Sequence, residues 1–88
     1  MNYKVSFTKE AQKQIKKMDH YTQTIIMNWI GKNLVDCENP YLHGKPLKGN
    51  YAGQWRYRVG DYRIIAEIYN DELVILVINV GHRREVYK

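Results

Sequence analysis

Arginine is the residue type whose spacing first suggests chemistry in this chain. Arg56 and Arg58 occupy alternate positions of a segment with strand character, and Arg63 follows a turn at Gly60–Asp61. Because side chains alternate along a strand, Arg56 and Arg58 share one face, opposite the apolar residues that meet the core. A type II′ hairpin, with Gly60 at its first central position, would bring Arg63 to the same solvent-facing side. Three cations this close repel each other, so we expect an anion to complete the face. The alternative is that the three arginines are solvated, with their aliphatic stems on apolar surface and their charged groups in water.

A second basic and aromatic group ends the chain. Gly81 permits a sharp change of direction, and His82, Arg83 and Arg84 follow it. If this tail folds back along the sheet, Arg83 and Tyr87 reach the face of the three arginines. Guanidinium groups hold phosphate and an exposed ring stacks on an unpaired base, which together favour RNA as a ligand. In the alternative, Tyr87 closes the edge of the core.

The elements that position these residues can be read from periodicity. Alternation predicts a strand over Asn2 to Phe7, and Thr8 and Asp19 are suitable N-caps for two helices. The helices are expected from about Lys9 to Met18 and from about His20 to Val35. An irregular segment, 41–53, follows.

Three strands are expected in the second half of the chain. They cover 54–59, 62–69 and 73–79, and the last is apolar on both faces, as in a central strand. The order β-α-α-β-β-β predicts an α+β fold in which two N-terminal helices pack on one face of a small, mostly antiparallel sheet. The N-terminal strand should pair beside the last one. A chain of 88 residues favours one domain, 1–88.

The first helix carries a lysine ridge on the side opposite its apolar residues. The ridge either contacts phosphate as an accessory to the strand arginines or is an ordinary solvated helix face. It consists of Lys9, Lys13, Lys16 and Lys17.

Composition limits the function classes. The net charge of +5, from 14 Lys and Arg against 9 Asp and Glu, favours polyanionic partners. Cys37 is the sole cysteine, so the chain can form no internal disulfide. We interpret Cys37 as a half-buried apolar residue rather than a reactive thiol. The sequence offers no clustered metal ligands, so no metal or cofactor is expected. Without a membrane-length apolar run or a signal peptide, we expect a cytoplasmic protein that does not bind membranes.

The order and spacing of several short motifs resemble the RelE group of the RelE/ParE toxin superfamily across nearly the whole chain. The motifs are Leu47-Lys48-Gly49, Trp55-Arg56-Tyr57-Arg58, Gly60-Asp61-Tyr62-Arg63, Val80-Gly81-His82-Arg83 and Glu85-Val86-Tyr87. The resemblance implies a microbial-ribonuclease-like fold and a type II toxin that cleaves mRNA in the ribosomal A site. The lack of clustered metal ligands indicates that this cleavage would need no metal ion. It also implies three kinds of partner: ribosome and mRNA, a RelB-like cognate antitoxin, and operator DNA reached only through the antitoxin complex.

The resemblance also implies catalytic roles. Arg56, Arg58 and Arg63 would hold or activate the scissile region, Arg83 would stabilise charge at the phosphate, and Tyr87 would orient or stack on a base. Known members carry lysines where this chain has Arg56 and Arg58, and a guanidinium effectively never loses its proton. These arginines are therefore expected to stabilise charge rather than act as a base. His82 is the remaining acid–base candidate, since histidine titrates near neutral pH. The predicted RNA-binding residues are the lysine ridge, Lys48 and Arg84.

Two other functions remain open at this point. One is a ParE-like toxin that inhibits gyrase by binding it, without cleaving RNA. The other is a plain basic nucleic-acid-binding domain, which predicts neither growth arrest nor cleavage.

Overall fold

A computed structural model of the chain describes residues 2–82. It contains a five-stranded sheet with the strand order β1-β5-β4-β3-β2, two α-helices and one 3₁₀ helix at Gly49–Tyr51. The strands are β1 (Lys4–Phe7), β2 (Lys45–Pro46), β3 (Trp55–Val59), β4 (Tyr62–Tyr69) and β5 (Val74–His82), and the helices are α1 (Lys9–Lys16) and α2 (His20–Asn33). The predicted α+β class and the β-α-α-β-β-β order are confirmed, with the two-residue β2 added at the edge of the sheet.

The central strand is β5, which pairs parallel to β1 and antiparallel to β4. This confirms the predicted position of the N-terminal strand beside the last one. The predicted limits of β5 were wrong at both ends. Leu73 has a φ of +55° and belongs to the preceding turn, while Gly81 pairs with Arg63 and continues the strand instead of bending it.

Both helices begin at the predicted N-caps. The Thr8 hydroxyl accepts a hydrogen bond from the Ala11 backbone N–H at 3.1 Å. The Asp19 carboxylate accepts from the Thr22 N–H at 3.2 Å and from the Thr22 hydroxyl at 2.6 Å. These bonds satisfy donors that the first helical turn leaves unpaired. The hydrogen bonds from Thr22 also lower the pKa of Asp19 below its ordinary value.

The hydrophobic core lies between the two helices and one face of the sheet. From α2 it takes Ile26 and Ile30, and from the sheet it takes alternate residues such as Tyr57 and Ile64, all at most 1% exposed. The buried Tyr57 hydroxyl donates to the Pro40 carbonyl at 2.8 Å, so this polar group is satisfied inside the core. The helices therefore cover one sheet face, and side chains of the opposite parity point away from them.

A β-bulge interrupts the pairing of β4 with β5. Ile65 pairs with Asn79 but Ala66 pairs with Val77, so Ile78 is an extra residue in β5. Gln14 of α1 bonds to the chain just after this bulge: its amide donates to the Asn79 side chain at 2.9 Å and accepts from the Val80 N–H at 2.7 Å. A bulge reverses the facing of every later residue in its strand, with consequences for the site.

Within residues 2–82, no helix combines the length and the apolar character needed to cross a membrane.

Candidate functional site

Strand pairing brings the three hairpin arginines onto one face of the sheet. Arg58 lies directly opposite Arg63 across the β3–β4 hairpin, and Arg56 lies opposite Ile65. Directly opposed residues point to the same side, with Cβ atoms roughly 5 Å apart. Gly60 has a φ of +59°, which suits the first central residue of the predicted type II′ turn. We call this side of the sheet, away from the helices, the arginine face.

Lys45 is an additional cation of this face that the sequence did not reveal. It lies in β2, directly opposite Arg56, and is exposed. A two-residue strand has no alternation to detect, and the flanking glycine and proline favoured an irregular segment. The available signal was the short distance in sequence to Arg56, which is too weak to predict pairing.

Exposure differs among the arginines, and the expectation of three solvent-facing side chains was wrong. Arg58 is exposed, Arg56 is half-buried, and Arg63 is only 7% exposed. Arg63 donates from Nη1 to the Tyr62 carbonyl at 3.3 Å. Its neighbour on the same face, Ile65, is 3% exposed. The face is therefore exposed at Arg58 and buried at Arg63, in the strand nearer the centre of the sheet.

His82 does not join the arginines. It pairs with Tyr62, and the two rings form an edge-on contact with centroids 5.6 Å apart. Tyr62 packs against the core, one residue before Arg63, and therefore lies on the helix-covered side. Strict alternation from Val77 would have placed His82 with Arg63, but the bulge at Ile78 reverses the parity. Gly81 instead lies opposite Arg63, on the arginine face.

The environment of His82 is a cleft of about 700 Å³ between α1 and the ends of β4 and β5. Its walls include Glu10, Gln14 and Lys17 from or next to α1, with Tyr62 opposite. This cleft contains charges of both signs and lies on the other side of the sheet from the arginines. An acid–base role for His82 at the arginine face is not compatible with this placement.

The lysine ridge is also separated from the arginines. All four lysines are exposed, while Ala11 on the other side of α1 is buried against the sheet. Lys9, Lys13 and Lys16 therefore point away from the sheet on the helix side of the molecule, while Lys17 lines the cleft beside His82. Lys48 is exposed at the N-cap of the 3₁₀ helix, beyond the edge of the sheet at which β2 lies. The remaining predicted site residues, Arg83, Arg84 and Tyr87, lie outside the described residues.

The far end of the arginine face is acidic rather than basic. Glu67 and Tyr69 continue the alternation from Arg63, and the Tyr69 hydroxyl donates to the Glu67 carboxylate at 3.3 Å. The negative charge of Glu67 raises the pKa of Tyr69. At roughly 3.3 Å per residue, Glu67 is about 13 Å along the strand from Arg63, too far to act on the same phosphate.

Within the part of the chain that the structure describes, no group of three or more His, Cys, Asp or Glu side chains could hold a metal ion. Cys37 is half-buried, and burial raises the pKa of its thiol. A thiol with a raised pKa is a poor nucleophile, which agrees with the interpretation of Cys37 as an apolar residue.

Comparison with known proteins identifies the family. The model of the ParE toxin of type II toxin–antitoxin systems, parDE, matches residues 5–87. Toxin RelG of Mycobacterium tuberculosis is 27% identical over 88 residues, which cover 100% of this chain and 99% of that protein. Toxin RelE of the same organism is 24% identical over 86 residues, covering 98% of this chain and 87% of that protein.

Solved structures agree in fold. The toxin–antitoxin complex RelBE2 from Mycobacterium tuberculosis contains a chain that matches with a TM-score of 0.85 and 26% identity, covering 97% of this chain and 95% of that one. A mutant of the Escherichia coli toxin RelE in the free state matches with a TM-score of 0.75 and 23% identity, covering 99% and 92%. The chain therefore belongs to the ParE toxin family, and it is a toxin of a type II toxin–antitoxin system, in the RelE group of the RelE/ParE superfamily.

Proposed function

We propose that this toxin is a ribosome-dependent endoribonuclease that cleaves mRNA in the ribosomal A site and so inhibits translation. The observation that carries the proposal is the cross-strand pair Arg58–Arg63, with Arg56 beside it on the same face. A phosphodiester is the ligand whose charge and geometry suit adjacent guanidinium groups. The RelE-group relatives support the same class of activity.

The proposed reaction is an internal transesterification of the RNA. The 2′-oxygen attacks the adjacent phosphorus, a new P–O2′ bond forms, and the P–O5′ bond breaks. The 2′-hydroxyl proton is lost and the departing 5′-oxygen gains a proton, which leaves a 2′,3′-cyclic phosphate and a 5′-hydroxyl end. Negative charge accumulates on the phosphorane oxygens in the transition state. Arg58 and Arg63 are the described groups best placed to stabilise it, and fixed donors of this kind contribute strongly to catalysis.

The arginines have different roles in this proposal. Exposed Arg58 meets the phosphate first, half-buried Arg56 holds the neighbouring backbone, and buried Arg63 fixes the charge at the centre of the face. A buried guanidinium loses little conformational freedom when it binds, because its position is already fixed. By resemblance, Arg83 supplies a further charge at the leaving group and Tyr87 stacks on the substrate base.

Among the described residues, the proposed site has no group well placed to transfer a proton. This lack accounts for the proposed need for a ribosome. Arginine keeps its proton, His82 lies on the other side of the sheet, and Glu67 is about 13 Å from Arg63 along the strand. The enzyme then relies on a substrate that is already held in an in-line geometry. Correct orientation of a nucleophile accounts for a large part of many rate enhancements. Free RNA lacks this constraint and should be a poor substrate.

The lysine ridge, Lys48 and Arg84 are proposed to bind RNA outside the reacting nucleotides. Because the ridge points away from the arginine face, it cannot contact the same phosphate as Arg58. Ribosomal RNA surrounds a protein in the A site and offers phosphates on more than one side. The ridge therefore contributes to binding the ribosome rather than to cleavage. Because ribosomes and mRNA are the proposed partners, the proposed location of the protein is the cytoplasm.

The proposed regulator is a cognate RelB-like antitoxin. The solved RelBE2 complex from Mycobacterium tuberculosis and the RelE–RelB complex from Pyrococcus horikoshii support this partner. An acidic and apolar segment would neutralise the arginine face and exclude mRNA from it. Operator DNA would be bound through the antitoxin in such a complex.

The family model that matches the chain is that of ParE, which favours one second candidate function. A ParE-like toxin would bind a protein target such as gyrase and would leave mRNA intact. This candidate requires no arrangement of arginines around a phosphate.

Primer extension on mRNA distinguishes the two candidates. Purified toxin is incubated with an mRNA alone and with the same mRNA on translating ribosomes. We expect new 5′ ends within the A-site codon only when ribosomes are present. Growth arrest with intact mRNA and induction of the DNA-damage response would instead support the ParE-like candidate.

A further inference from the structure

A cavity of about 430 Å³ opens at the edge of the sheet beside the arginine face. Arg56 and Arg58 of β3 form one side and Trp29 of α2 forms another. The chain between α2 and β3 supplies the rest of the lining, from Leu42 to Lys45. Because β2 pairs only with Trp55 and Arg56, it leaves the outer edge of β3 open beside Arg58.

Aromatic side chains form one wall of this cavity. Trp29 and His43 make an edge-on contact with centroids 5.8 Å apart, and Trp29 also packs on Tyr57 with centroids 5.6 Å apart. The His43 carbonyl accepts a 2.7 Å hydrogen bond from the Trp55 indole N–H, so the backbone that carries His43 is fixed. Trp29 is half-buried and His43 is exposed, so the wall is rigid at its base and accessible at its rim.

Close backbone contact fixes the second wall. Gly44 has a φ of +82°, and a Cβ atom added there would lie 2.0 Å from the Arg56 carbonyl oxygen. Only glycine allows this approach, which lets β2 pair with β3 and sets Lys45 directly opposite Arg56.

The charge of the cavity is uncompensated within the described chain. Among residues 2–82, the side chains of Lys45, Arg56 and Arg58 make no hydrogen bond or ion pair, and Arg56 Nε is buried without a partner. Three cations beside two aromatic rings form an arrangement suited to a ligand with both an anionic group and a flat ring. Stacking on aromatic side chains and phosphate contacts to cations are the two components of single-stranded nucleic acid binding.

We propose that this cavity is a subsite for a nucleotide that flanks the cleaved bond, with its base against Trp29 and His43 and its phosphate on Lys45 and Arg58. The proposal rests on the proposed function, because Arg58 belongs to both the cavity and the cross-strand pair with Arg63. A nucleotide in the cavity would hold the RNA chain as it leaves the Arg58–Arg63 pair. It would also favour nucleotides with large bases, since stacking increases with ring area.

A binding experiment with uncleavable RNA tests the subsite independently of cleavage. The probe is a fluorescent single-stranded hexaribonucleotide with 2′-O-methyl groups, and its binding to the full chain is followed by anisotropy. Removal of one base at a time from the probe should weaken binding to the parent about tenfold at one position, as expected for a lost stacking contact. In His43→Ala, removal of the same base should cost less than about threefold, because one of its two stacking partners is already lost.

Charge is tested by a matched pair of lysine variants. Lys45→Gln should reduce the slope of log affinity against log salt by about 0.7, the value for one single-strand phosphate contact. Lys4→Gln removes the same charge from β1, at the far edge of the sheet, and should leave the slope unchanged.

Two results would refute the subsite. One is that His43→Ala and Lys45→Gln keep the affinity, base dependence and salt slope of the parent. The other is that the parent does not bind the probe saturably. Because His43 and Lys45 are exposed, both variants should fold, as circular dichroism can confirm. If the parent binds the probe as expected but does not cleave mRNA in the ribosome assay, the proposed function is refuted and the subsite is not.

Discussion

The arginine face and the lysine ridge differ in how their positive charges are held, although both surfaces are basic. The arginines lie on paired strands, where hydrogen-bonded register places Arg58 opposite Arg63. The ridge lies on the exposed side of the eight-residue helix α1 and its C-cap, where no strand pairing sets one lysine opposite another. Transition-state stabilisation requires fixed charges, whereas attraction of a polyanion requires only charge. The sheet thus suits catalysis and the ridge suits binding.

The residues that stabilise the fold also differ from those proposed to act on RNA. The helices bury the apolar face of the sheet, and the arginine face contributes few residues to the hydrophobic core. Substitutions in the helix layer should therefore act on the free energy of unfolding. Substitutions on the arginine face should act on cleavage.

The largest effect on stability is expected from Ile30→Ala. Ile30 is 1% exposed between α2 and the sheet, and truncation at such a site costs about 2–5 kcal/mol of unfolding free energy through lost burial and a cavity. Ile25→Ala makes the same change on the same helix, but Ile25 is 42% exposed and should cost below about 1 kcal/mol. Urea denaturation measures both. Equal losses would contradict the placement of the core.

A smaller loss, of about 1–3 kcal/mol, is expected from Gly44→Ala through backbone strain, with a further contribution from its steric clash. The added methyl group would overlap the Arg56 carbonyl and separate β2 from β3. Gly53→Ala is the control, because Gly53 has a φ of +94° but no atom within 4 Å of an added Cβ. Only Gly44→Ala should weaken RNA binding at the sheet edge, measured with the uncleavable probe. A similar loss of binding in Gly53→Ala would show that strain alone is responsible.

Neutralising the lysine ridge should affect recognition of the ribosome more than the chemical step. Replacing Lys13, Lys16 and Lys17 with Gln should raise the ribosome concentration that gives half-maximal cleavage by about tenfold at moderate salt, through lost phosphate contacts. The cleavage rate at saturating ribosomes should change by less than about twofold, as expected for lost ground-state binding. A large fall in the saturated rate, with unchanged half-maximal concentration, would place the ridge in the catalytic site.

The smallest effect concerns the N-cap of α2. The pKa of Asp19 is lowered by its hydrogen bonds with Thr22, so its charged form stabilises the folded state. This contribution is complete above the ordinary pKa of an aspartate and disappears as pH falls through the lowered, folded-state pKa. Asp19→Ala should thus be less stable than the parent at neutral pH, and the gap should narrow in acid. Denaturation curves from pH 7 to pH 2 test this, and a constant gap would contradict it.

Local physical chemistry made the arrangement of most elements predictable. The N-caps Thr8 and Asp19, the Gly60 turn and the strand alternation at Arg56 and Arg58 depend on residues close together in sequence, and the structure shows each of them. The position of β5 beside β1 was also predictable, because a strand that is apolar on both faces belongs in the centre of a sheet.

The features that the sequence did not reveal depend on distant contacts. The bulge at Ile78 reverses the facing of His82, and the apolar run from Leu73 to Ile78 has no alternation that could mark its position. Gln14, 66 residues before Val80, supplies a partner for the Val80 N–H. The burial of Arg63 likewise has no signal in its sequence neighbours, which alternate in the same way as those of the exposed Arg58.

The central claim is that the arginine face performs the cleavage. Its most direct test is the single-turnover rate of mRNA cleavage on saturating ribosomes for the parent and for Arg58→Ala, an exposed position that should not affect folding. Loss of one fixed donor to a phosphorane should reduce this rate about 10²–10³-fold. Lys4→Gln, which removes one charge elsewhere, should cleave at the parental rate. An Arg58→Ala protein that cleaves as fast as the parent would show that the arginine face does not perform the cleavage.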